Sequence, residues 1–239
     1  MMKLSIIIPV FNEEKTISQM LEKINRLDVD NVIKQVIIVN DGSTDRTKNE
    51  IENFVKNHSE VKSVTHAKNQ GKGAAIRTGI ETATGEYVVI QDADLEYDPK
   101  DIGKLVKPIL NGTSKVVYGT RLNRLPSFSR EERTPQFLLH YLGNKFLSLL
   151  TSILYGQWIT DMETCYKLFP RKAVENMKLN ARGFEFEPEI TAKLLKKGYK
   201  ILEIPISTKP RGYDEGKKLN TFRDGTIALW SLLKYRFVD

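Results

Sequence analysis

The sequence predicts an α/β domain built on a mostly parallel sheet flanked by helices. In the first half of the 239 residues, short runs of β-branched residues alternate with segments whose apolar residues recur at helical spacing. Three of these runs end in polar or glycine-rich sequence, which is where open α/β sheets bind ligands. The length fits one domain, and residues 1–239 are assigned to it.

The strands and helices of the first half follow in regular order. Strands are expected at residues 4–10, 36–40, 61–66, 87–91 and 115–118, and helical spacing marks residues 17–24, 51–55 and 75–83. The polar strand ends are residues 11–13, 41–45 and 92–94. Because the carboxyl ends of parallel strands meet at one edge of a sheet, these three segments should converge on one site.

The second half is less regular. Residues 121–136 form a predicted polar loop, and residues 135–155 and 226–238 are apolar. His140, Asn144 and Lys145 interrupt the first apolar segment, whereas a spanning helix needs about 20 nearly unbroken apolar residues, so we expect no membrane crossing. Both segments are expected either to cover the sheet or to lie peripherally at a membrane interface. The residues expected at headgroup level are Lys145, Trp158, Trp230, Lys234 and Arg236.

The composition limits the cellular location and the kinds of partner that fit this protein. The single cysteine, Cys165, excludes an internal disulfide and a cysteine-based zinc site, and the amino terminus lacks the apolar core of a signal peptide, so a cytoplasmic location is expected. The net charge of +7 does not choose between nucleic acid, anionic membranes and phosphate-bearing substrates. Its distribution is more informative, since basic residues cluster at 121–133 and 209–218, both predicted loops.

Paired carboxylates follow the fourth strand. Asp92 and Asp94 leave the strand end together, with Glu96 two residues on. Mg²⁺ or Mn²⁺ is typically held by one or two carboxylates, water and substrate phosphates, so these residues predict a metal site. The alternative is an ordinary turn or a helix cap.

Two further loops fit a nucleotide site. Asp41 can bind a nucleobase or ribose, while Ser43 or Thr44 caps the next helix. Glycines at 71 and 73 precede a helix and allow close approach of an anion, to which Lys72 adds charge. Neither a dinucleotide-binding nor a P-loop fingerprint is present in the sequence.

These motifs together resemble family 2 of the inverting glycosyltransferases over about residues 3–210. The matching segments are 7–14, 39–45, 69–73 and 91–95, and segments 71–75, 92–99 and 119–121 are similar to the dolichyl-phosphate mannosyltransferase and polyprenyl-phosphate hexosyltransferase branch. The resemblance implies a GT-A fold, with donor binding in about 1–120 and the acceptor loop and membrane-facing or covering helices in about 121–239. It also implies a hexose transfer from GDP-mannose or a UDP-hexose to a polyprenyl or dolichyl phosphate.

The resemblance implies site roles residue by residue. The metal is assigned to Asp92, Asp94 and Glu96, and a phosphate to Arg121. The donor is assigned to Pro9, Phe11, Glu13, Asp41, Lys72, Asp92 and Arg211. Two departures concern the sugar and the acceptor: Glu96 stands where the branch often has glutamine, and residues 164–167 read Thr-Cys-Tyr-Lys instead of Ser-Gly-Phe-Arg.

The reaction itself suggests further roles. Asp94, through the metal, and Arg121 or Arg211 would stabilise the leaving diphosphate. A hydroxyl acceptor needs a general base, for which Asp161 is the candidate and Glu163 the next, whereas a phosphate acceptor is already anionic and needs none. Asp161 would then orient a cation or the sugar, or serve as a turn cap. The acceptor phosphate is assigned to Arg121, Arg130 and Arg133, because arginine binds phosphate bidentately.

Several alternatives remain open at this point. A related transferase could glycosylate a sugar hydroxyl or another lipid with the same donor site. A nucleotidyltransferase should carry a glycine-rich loop after the first strand, where this chain has Phe11 to Glu14. A non-catalytic basic module that binds nucleic acid would leave the strand-end carboxylates unexplained, so no nucleic-acid partner is expected.

Overall fold

Strands and helices alternate along the chain. The computed structural model describes residues 1–122, 135–209 and 221–238, without the side chains of residues 136, 221 and 222. The strands are β1 (Met2–Val10), β2 (Val32–Asn40), β3 (Lys62–Thr65), β4 (Tyr87–Ile90), β5 (Val116–Thr120), β6 (Lys167–Pro170) and β7 (Ile201–Pro205). The helices are α1 (Ile17–Asn25), α2 (Thr47–Asn57), α3 (Lys72–Thr82), α4 (Asp101–Leu110), α5 (Pro135–Tyr155), α6 (Arg171–Val174), α7 (Phe186–Lys196) and α8 (Thr221–Phe237).

The described strands form one mixed sheet in the order β3-β2-β1-β4-β6-β5-β7. Pairing is parallel between β1 and β2, β1 and β4, β2 and β3, and β5 and β7. Strand β6 runs antiparallel to both β4 and β5. The predicted mostly parallel sheet is confirmed with all of its expected strands, and β6 and β7 are additions. Assignment of residues 1–239 to one domain stays a prediction.

The reversed strand β6 brings a second stretch of chain to the ligand edge. Its pairing places Val89 opposite Leu168 and Tyr118 opposite Lys167. Because β6 is antiparallel, its amino end lies beside the carboxyl ends of β4 and β5. Residues 161–166, which lead into β6, therefore join the loops that the sequence already placed at this edge.

Helices cover both faces of the sheet, as the pattern in β1 requires. Successive side chains of a strand point to opposite faces, and in β1 both faces are buried. Ile7 packs in the core with α3, α5, α7 and α8, while Ile6 and Ile8 pack in the core with α1 and α4. The first strand thus reads as an unbroken apolar run because it is central and covered on both sides.

Helix α5 has two unlike faces. Asn144, Leu147, Ser148 and Thr151 are buried against the domain, whereas other large apolar side chains of the same helix are exposed. Those exposed side chains are Leu138, Leu139, Leu142, Phe146, Leu149 and Ile153. The segment Phe137–Tyr155 is long and apolar enough to cross a membrane. By length and composition, therefore, the three polar residues do not exclude a spanning helix, and the absence of a membrane crossing stays a prediction. Of the three, Asn144 is buried, whereas His140 and Lys145 are partly exposed.

Candidate active site

A cavity of about 420 Å³ opens where β1, β2 and β4 end. Its walls combine the loops after these strands with residues of α3, α5 and α7. The predicted site residues that line it are Pro9, Phe11, Glu13, Asp41, Lys72, Asp92, Asp94, Glu96 and Arg121. The expected convergence of the three strand-end segments is therefore observed, and it follows from the parallel pairing of β1 with β2 and β4.

The loops after β1 and β2 interlock through hydrogen bonds. Asn12, which has a φ of 51°, donates its backbone N–H to Ser43 Oγ at 3.0 Å and accepts the N–H of Thr44 at 2.8 Å. The first N–H of α2, at Thr47, is accepted by Asp45 Oδ1 at 3.0 Å. The predicted cap by Ser43 or Thr44 was therefore wrong, because the neighbouring loop engages both residues.

Asp41 is buried and organises the loop before α3. Its Oδ1 accepts the N–H of Gln70 at 3.0 Å and lies 2.6 Å from His66 Nδ1, while Oδ2 accepts the N–H of Gly71 at 2.7 Å. His66 in turn contacts Thr78 Oγ1 through Nε2 at 2.9 Å. These contacts fix the carboxylate at the cavity wall, and its assignment to the donor nucleoside stays a prediction.

The glycines of the α3 entry serve close packing between two segments. Gly71 has a φ of 99°, and a Cβ there would lie 2.2 Å from the carbonyl oxygen of Arg182. A Cβ on Gly73 would lie 2.7 Å from the carbonyl oxygen of Ala181. The N–H of Gly71 is already accepted by the Asp41 carboxylate, and the expected approach of a ligand anion to this loop stays a prediction.

Lys72 and Asp92 form an ion pair in the cavity wall. Lys72 Nζ lies 2.7 Å from Asp92 Oδ1, 2.9 Å from Cys165 Sγ and 3.8 Å from Glu187 Oε1. Burial alone would lower the pKa of Lys72, but its acidic neighbours raise that pKa well above the ordinary value. Burial likewise opposes ionisation of Asp92, yet Lys72 holds the pKa of this carboxyl below its ordinary value. Both groups are therefore charged at neutral pH.

The carboxylates suit a hard divalent cation but do not form the predicted three-ligand set. Among the described residues, no group of three or more His, Cys, Asp or Glu is placed to hold an ion. Asp92 faces Lys72, and Asp94 Oδ1 accepts the N–H of Glu96 at 3.0 Å. Mg²⁺ or Mn²⁺ would fit Asp92 and Asp94 with water and substrate phosphates as the other ligands, since these ions need only one or two protein carboxylates.

Arg121 and Asp161 form a bidentate ion pair beside the cavity. Arg121 Nε and Nη2 each lie 2.8 Å from an Asp161 oxygen, and the backbone N–H of Arg121 donates to the same carboxylate at 2.8 Å. Asp161 has no exposed side-chain surface and is not among the lining residues. Burial would raise the pKa of Asp161, but Arg121 lowers it. This geometry favours the orienting role of Asp161 over a general base, and Arg121 alone of the two faces the cavity.

Two glutamates line the cavity without hydrogen-bond partners on their buried oxygens. Within the described parts of the chain, Glu163 Oε1 and both carboxylate oxygens of Glu187 accept no hydrogen bond. Glu187 Oε2 does form an ion pair with Lys167 Nζ at 3.1 Å. Burial raises the pKa of Glu163 to about 7. Burial therefore disfavours ionisation of Glu163.

The sequence did not identify some residues that line the cavity, and some residues that it did identify lie outside the described ranges. Arg130, Arg133 and Arg211 lie outside the described ranges, so their assignments stay predictions. The missed lining residues are Asn69, Tyr97, His140, Asn144, Cys165, Gly183, Phe184 and Glu187. A usable signal was present for Glu187, since the run Glu185-Phe-Glu187-Pro-Glu189 places three acidic residues at a helix start.

Comparison with known proteins identifies related chains. The family model for glycosyl transferase family 2 matches residues 5–178. The low-salt glycan biosynthesis hexosyltransferase Agl6 of Haloferax volcanii is 30% identical over 239 residues, which are 99% of this chain and 53% of that protein. This chain thus spans about half of that relative. The UDP-N-acetylglucosamine–dolichyl-phosphate N-acetylglucosaminyltransferase of Methanococcus voltae is 30% identical, over 90% of this chain and 89% of that protein.

Solved structures share the fold. Glucosyl-3-phosphoglycerate synthase of Mycobacterium tuberculosis, in complex with Mn²⁺, UDP and glucosyl-3-phosphoglycerate, superposes with a TM-score of 0.72 at 20% identity. The match covers 100% of this chain and 81% of that one. The same enzyme with Mg²⁺ and UDP gives a TM-score of 0.71. The expected GT-A fold is confirmed, and at this identity the likeness is one of fold alone.

Proposed function

Because the chain belongs to glycosyl transferase family 2 and is a glycosyltransferase, we propose that it moves a hexose from a nucleotide-diphosphate sugar to a polyprenyl phosphate of the dolichyl type. The observation that carries the proposal is the placement of α5. His140 and Asn144 of this helix line the cavity, while Leu142 and Phe146 of the same turns are exposed. One helix therefore joins the carboxylate-lined cavity to an apolar surface. The names of the Methanococcus voltae relative and of a Trichomonas vaginalis dolichyl-phosphate β-glucosyltransferase fit this acceptor.

The donor diphosphate is proposed to lie over the Asp92–Asp94 loop. These carboxylates would hold Mg²⁺ or Mn²⁺, which when bound supplies positive charge to the leaving diphosphate. Lys72 and Arg121 add fixed positive charge at the same cavity. Pro9, Phe11, Glu13 and Asp41 line the wall where the nucleoside would lie.

The acceptor needs positioning more than activation. A phosphate monoester loses its second proton near pH ~6, so its oxygen is already anionic at neutral pH. That oxygen forms the new bond to the anomeric carbon, the bond to the nucleotide diphosphate breaks, and the configuration inverts. Arg121, held by Asp161, is a fixed cation for either phosphate, and Arg130 and Arg133 are proposed to bind the acceptor phosphate.

The membrane is proposed to contact an apolar surface formed by α5, α8 and Trp158. Its α5 side chains are those named above, and α8 adds Trp230, Leu233 and Phe237, of which Trp230 is 68% and Phe237 82% exposed. The two helices are neighbours, since the Tyr155 hydroxyl of α5 donates to the carbonyl oxygen of Leu232 in α8. Large contiguous apolar patches are rare on monomeric soluble proteins and commonly mark protein or membrane contacts. Lys234 and Arg236 lie on α8 and would meet anionic headgroups. Lys145, also expected there, instead donates to the carbonyl oxygen of Leu122. The protein would then be peripheral, on the cytoplasmic face.

Thermal shift measurements test the donor and the cofactor. A ligand that binds only the folded state stabilises it by about 2.7 kcal/mol at 100 times its Kd. We expect either UDP or GDP to raise the melting temperature in the presence of Mn²⁺ and to raise it less after chelation. ADP, which carries the same diphosphate, is the control for charge alone. Equal shifts with all three nucleotides, or none, would contradict a specific donor site.

Flotation with liposomes tests the membrane contact. Replacing Phe146 and Ile153 together by serine removes two exposed apolar side chains, each worth about 1.5 to 3 kcal/mol when buried, so vesicle binding should weaken at least tenfold. Ile33→Ser is the matched control, since Ile33 is 51% exposed but belongs to β2. Vesicles with anionic lipid at low salt should bind the unaltered protein. Absence of binding there would favour the alternative that α5 and α8 only cover the sheet.

A further inference from the structure

Glu163 lines the cavity with a buried carboxyl oxygen that lacks a hydrogen bond among the described residues. Its Oε1 is fully buried and, among the described residues, accepts no hydrogen bond. Glu187, only 2% exposed, lines the same cavity, but its Oε2 is paired with Lys167 Nζ at 3.1 Å. A buried polar atom without a partner costs about 1 to 3 kcal/mol, and native proteins rarely leave one unsatisfied outside a functional site.

The four charged side chains that act on Glu163 form two ion pairs with one another. Arg121, at the end of β5, is paired with Asp161 of the loop before β6. Lys167 of β6 is paired with Glu187 of α7, 3.1 Å away. These four charges act on Glu163, and none of them is paired with it. Among the described residues, therefore, no group supplies the hydrogen bond that this oxygen can accept, and a bound ligand could supply it.

The position of Glu163 identifies that partner. Two residues further on, Cys165 Sγ lies 2.9 Å from Lys72 Nζ, which is itself 2.7 Å from Asp92. Glu163 lines the same cavity as the Asp92–Asp94 loop, to which the diphosphate is assigned. The sugar of the donor is bonded directly to that diphosphate, so it must lie within about one ring's width of it.

We propose that Glu163 hydrogen-bonds a hydroxyl of the transferred hexose and so helps to determine which hexose is accepted. This inference rests on the proposed function for its donor, but not on the identity of the acceptor. A sugar hydroxyl both donates and accepts hydrogen bonds, so it satisfies a carboxyl group in either protonation state. A phosphate would not, because ionised Glu163 would repel it.

The binding experiment compares bare and sugar-bearing nucleotides. Calorimetry with Mn²⁺ would measure UDP, UDP-glucose and UDP-N-acetylglucosamine, or GDP and GDP-mannose if the protein binds GDP. Glu163→Ala should weaken the nucleotide sugar about tenfold, the loss of one hydrogen bond, and leave the bare diphosphate unchanged. Glu163→Gln, which resembles the protonated carboxyl, should match the unaltered protein at pH 6 and differ from it at pH 8. Glu175→Gln is the control, because Glu175 is exposed and pairs with Arg171.

The outcomes distinguish a failure of the Glu163 assignment from a failure of the proposed donor. Equal weakening of the bare diphosphate and the nucleotide sugar, or no weakening of either, overturns the assignment of Glu163. A loss of kcat of a hundredfold or more in Glu163→Gln at pH 6, with unchanged binding, would instead make Glu163 a general base and also overturn it. If the unaltered protein binds no nucleotide diphosphate, the donor of the proposed function fails, and this inference fails with it.

Discussion

Asp94→Asn is expected to lower hexose transfer by at least about a hundredfold while leaving the protein folded. The loss follows because the variant removes one negative oxygen from the paired carboxylates that would hold Mg²⁺ or Mn²⁺ beside the leaving diphosphate, and one lost electrostatic contact to a transition state costs about 10² to 10³ in rate. The fold is retained because the amide oxygen of asparagine can still accept the N–H of Glu96, which Asp94 accepts at 3.0 Å. Transfer would be measured with saturating Mn²⁺.

The matched control is another acidic residue of the same loop. Asp98 accepts the N–H of Lys100 at 3.1 Å and is not among the residues that line the cavity. Asp98→Asn should therefore transfer hexose at close to the unaltered rate. Asp92→Asn should also abolish transfer, with an added loss of stability because Lys72 loses its ion-pair partner. Near-normal transfer by Asp94→Asn, or by the unaltered protein after metal chelation, would rule out the metal site.

Arg121→Met is expected to destabilise the protein by about 3 to 5 kcal/mol. Asp161 is fully buried, and removing its partner leaves an uncompensated charge in the interior, which strongly destabilises a protein.

The ion pair also makes the stability depend on pH. Since Arg121 lowers the pKa of Asp161, the pair stabilises the protein above the ordinary carboxyl pKa, and this contribution is lost as the pH falls through the lowered value. Urea unfolding at pH 7 and at a series of pH values below 3.8, the ordinary carboxyl pKa, would measure both effects.

A double variant separates stability from activity at this position. Arg121→Met with Asp161→Asn removes both charges, so much of the lost free energy of unfolding should return, whereas transfer should stay low because the cation at the cavity is still missing. Arg26→Met is the surface control, since the Arg26–Glu22 pair is exposed and worth at most about 1 kcal/mol. If the single and double variants unfolded at the same urea concentration, the buried pair would not be the source of the effect.

Much of the sheet and the location of the site could be predicted from sequence because both depend on local pattern. Unbroken apolar runs such as Ile6 to Ile8 indicate central strands, and parallel strands place their carboxyl ends together. Asp41 and Asp92 could therefore be assigned to one edge from their positions alone. The short strands β6 and β7 escaped prediction, since four or five residues of mixed polarity carry little periodic signal.

The sequence by itself determined the fold class, the ligand edge and the family, because these rest on patterns within short segments. Only the tertiary structure decided which charges meet. It paired Arg121 with Asp161, turned Asp92 toward Lys72 and gave Gly71 a packing role against Arg182. It also left Glu163 without a partner among the described residues. The physical reason is that the strength of a charge interaction depends on the distance between the groups and on their burial. These partners are 20 to 111 residues apart in the sequence, so they become close and buried only when the chain folds.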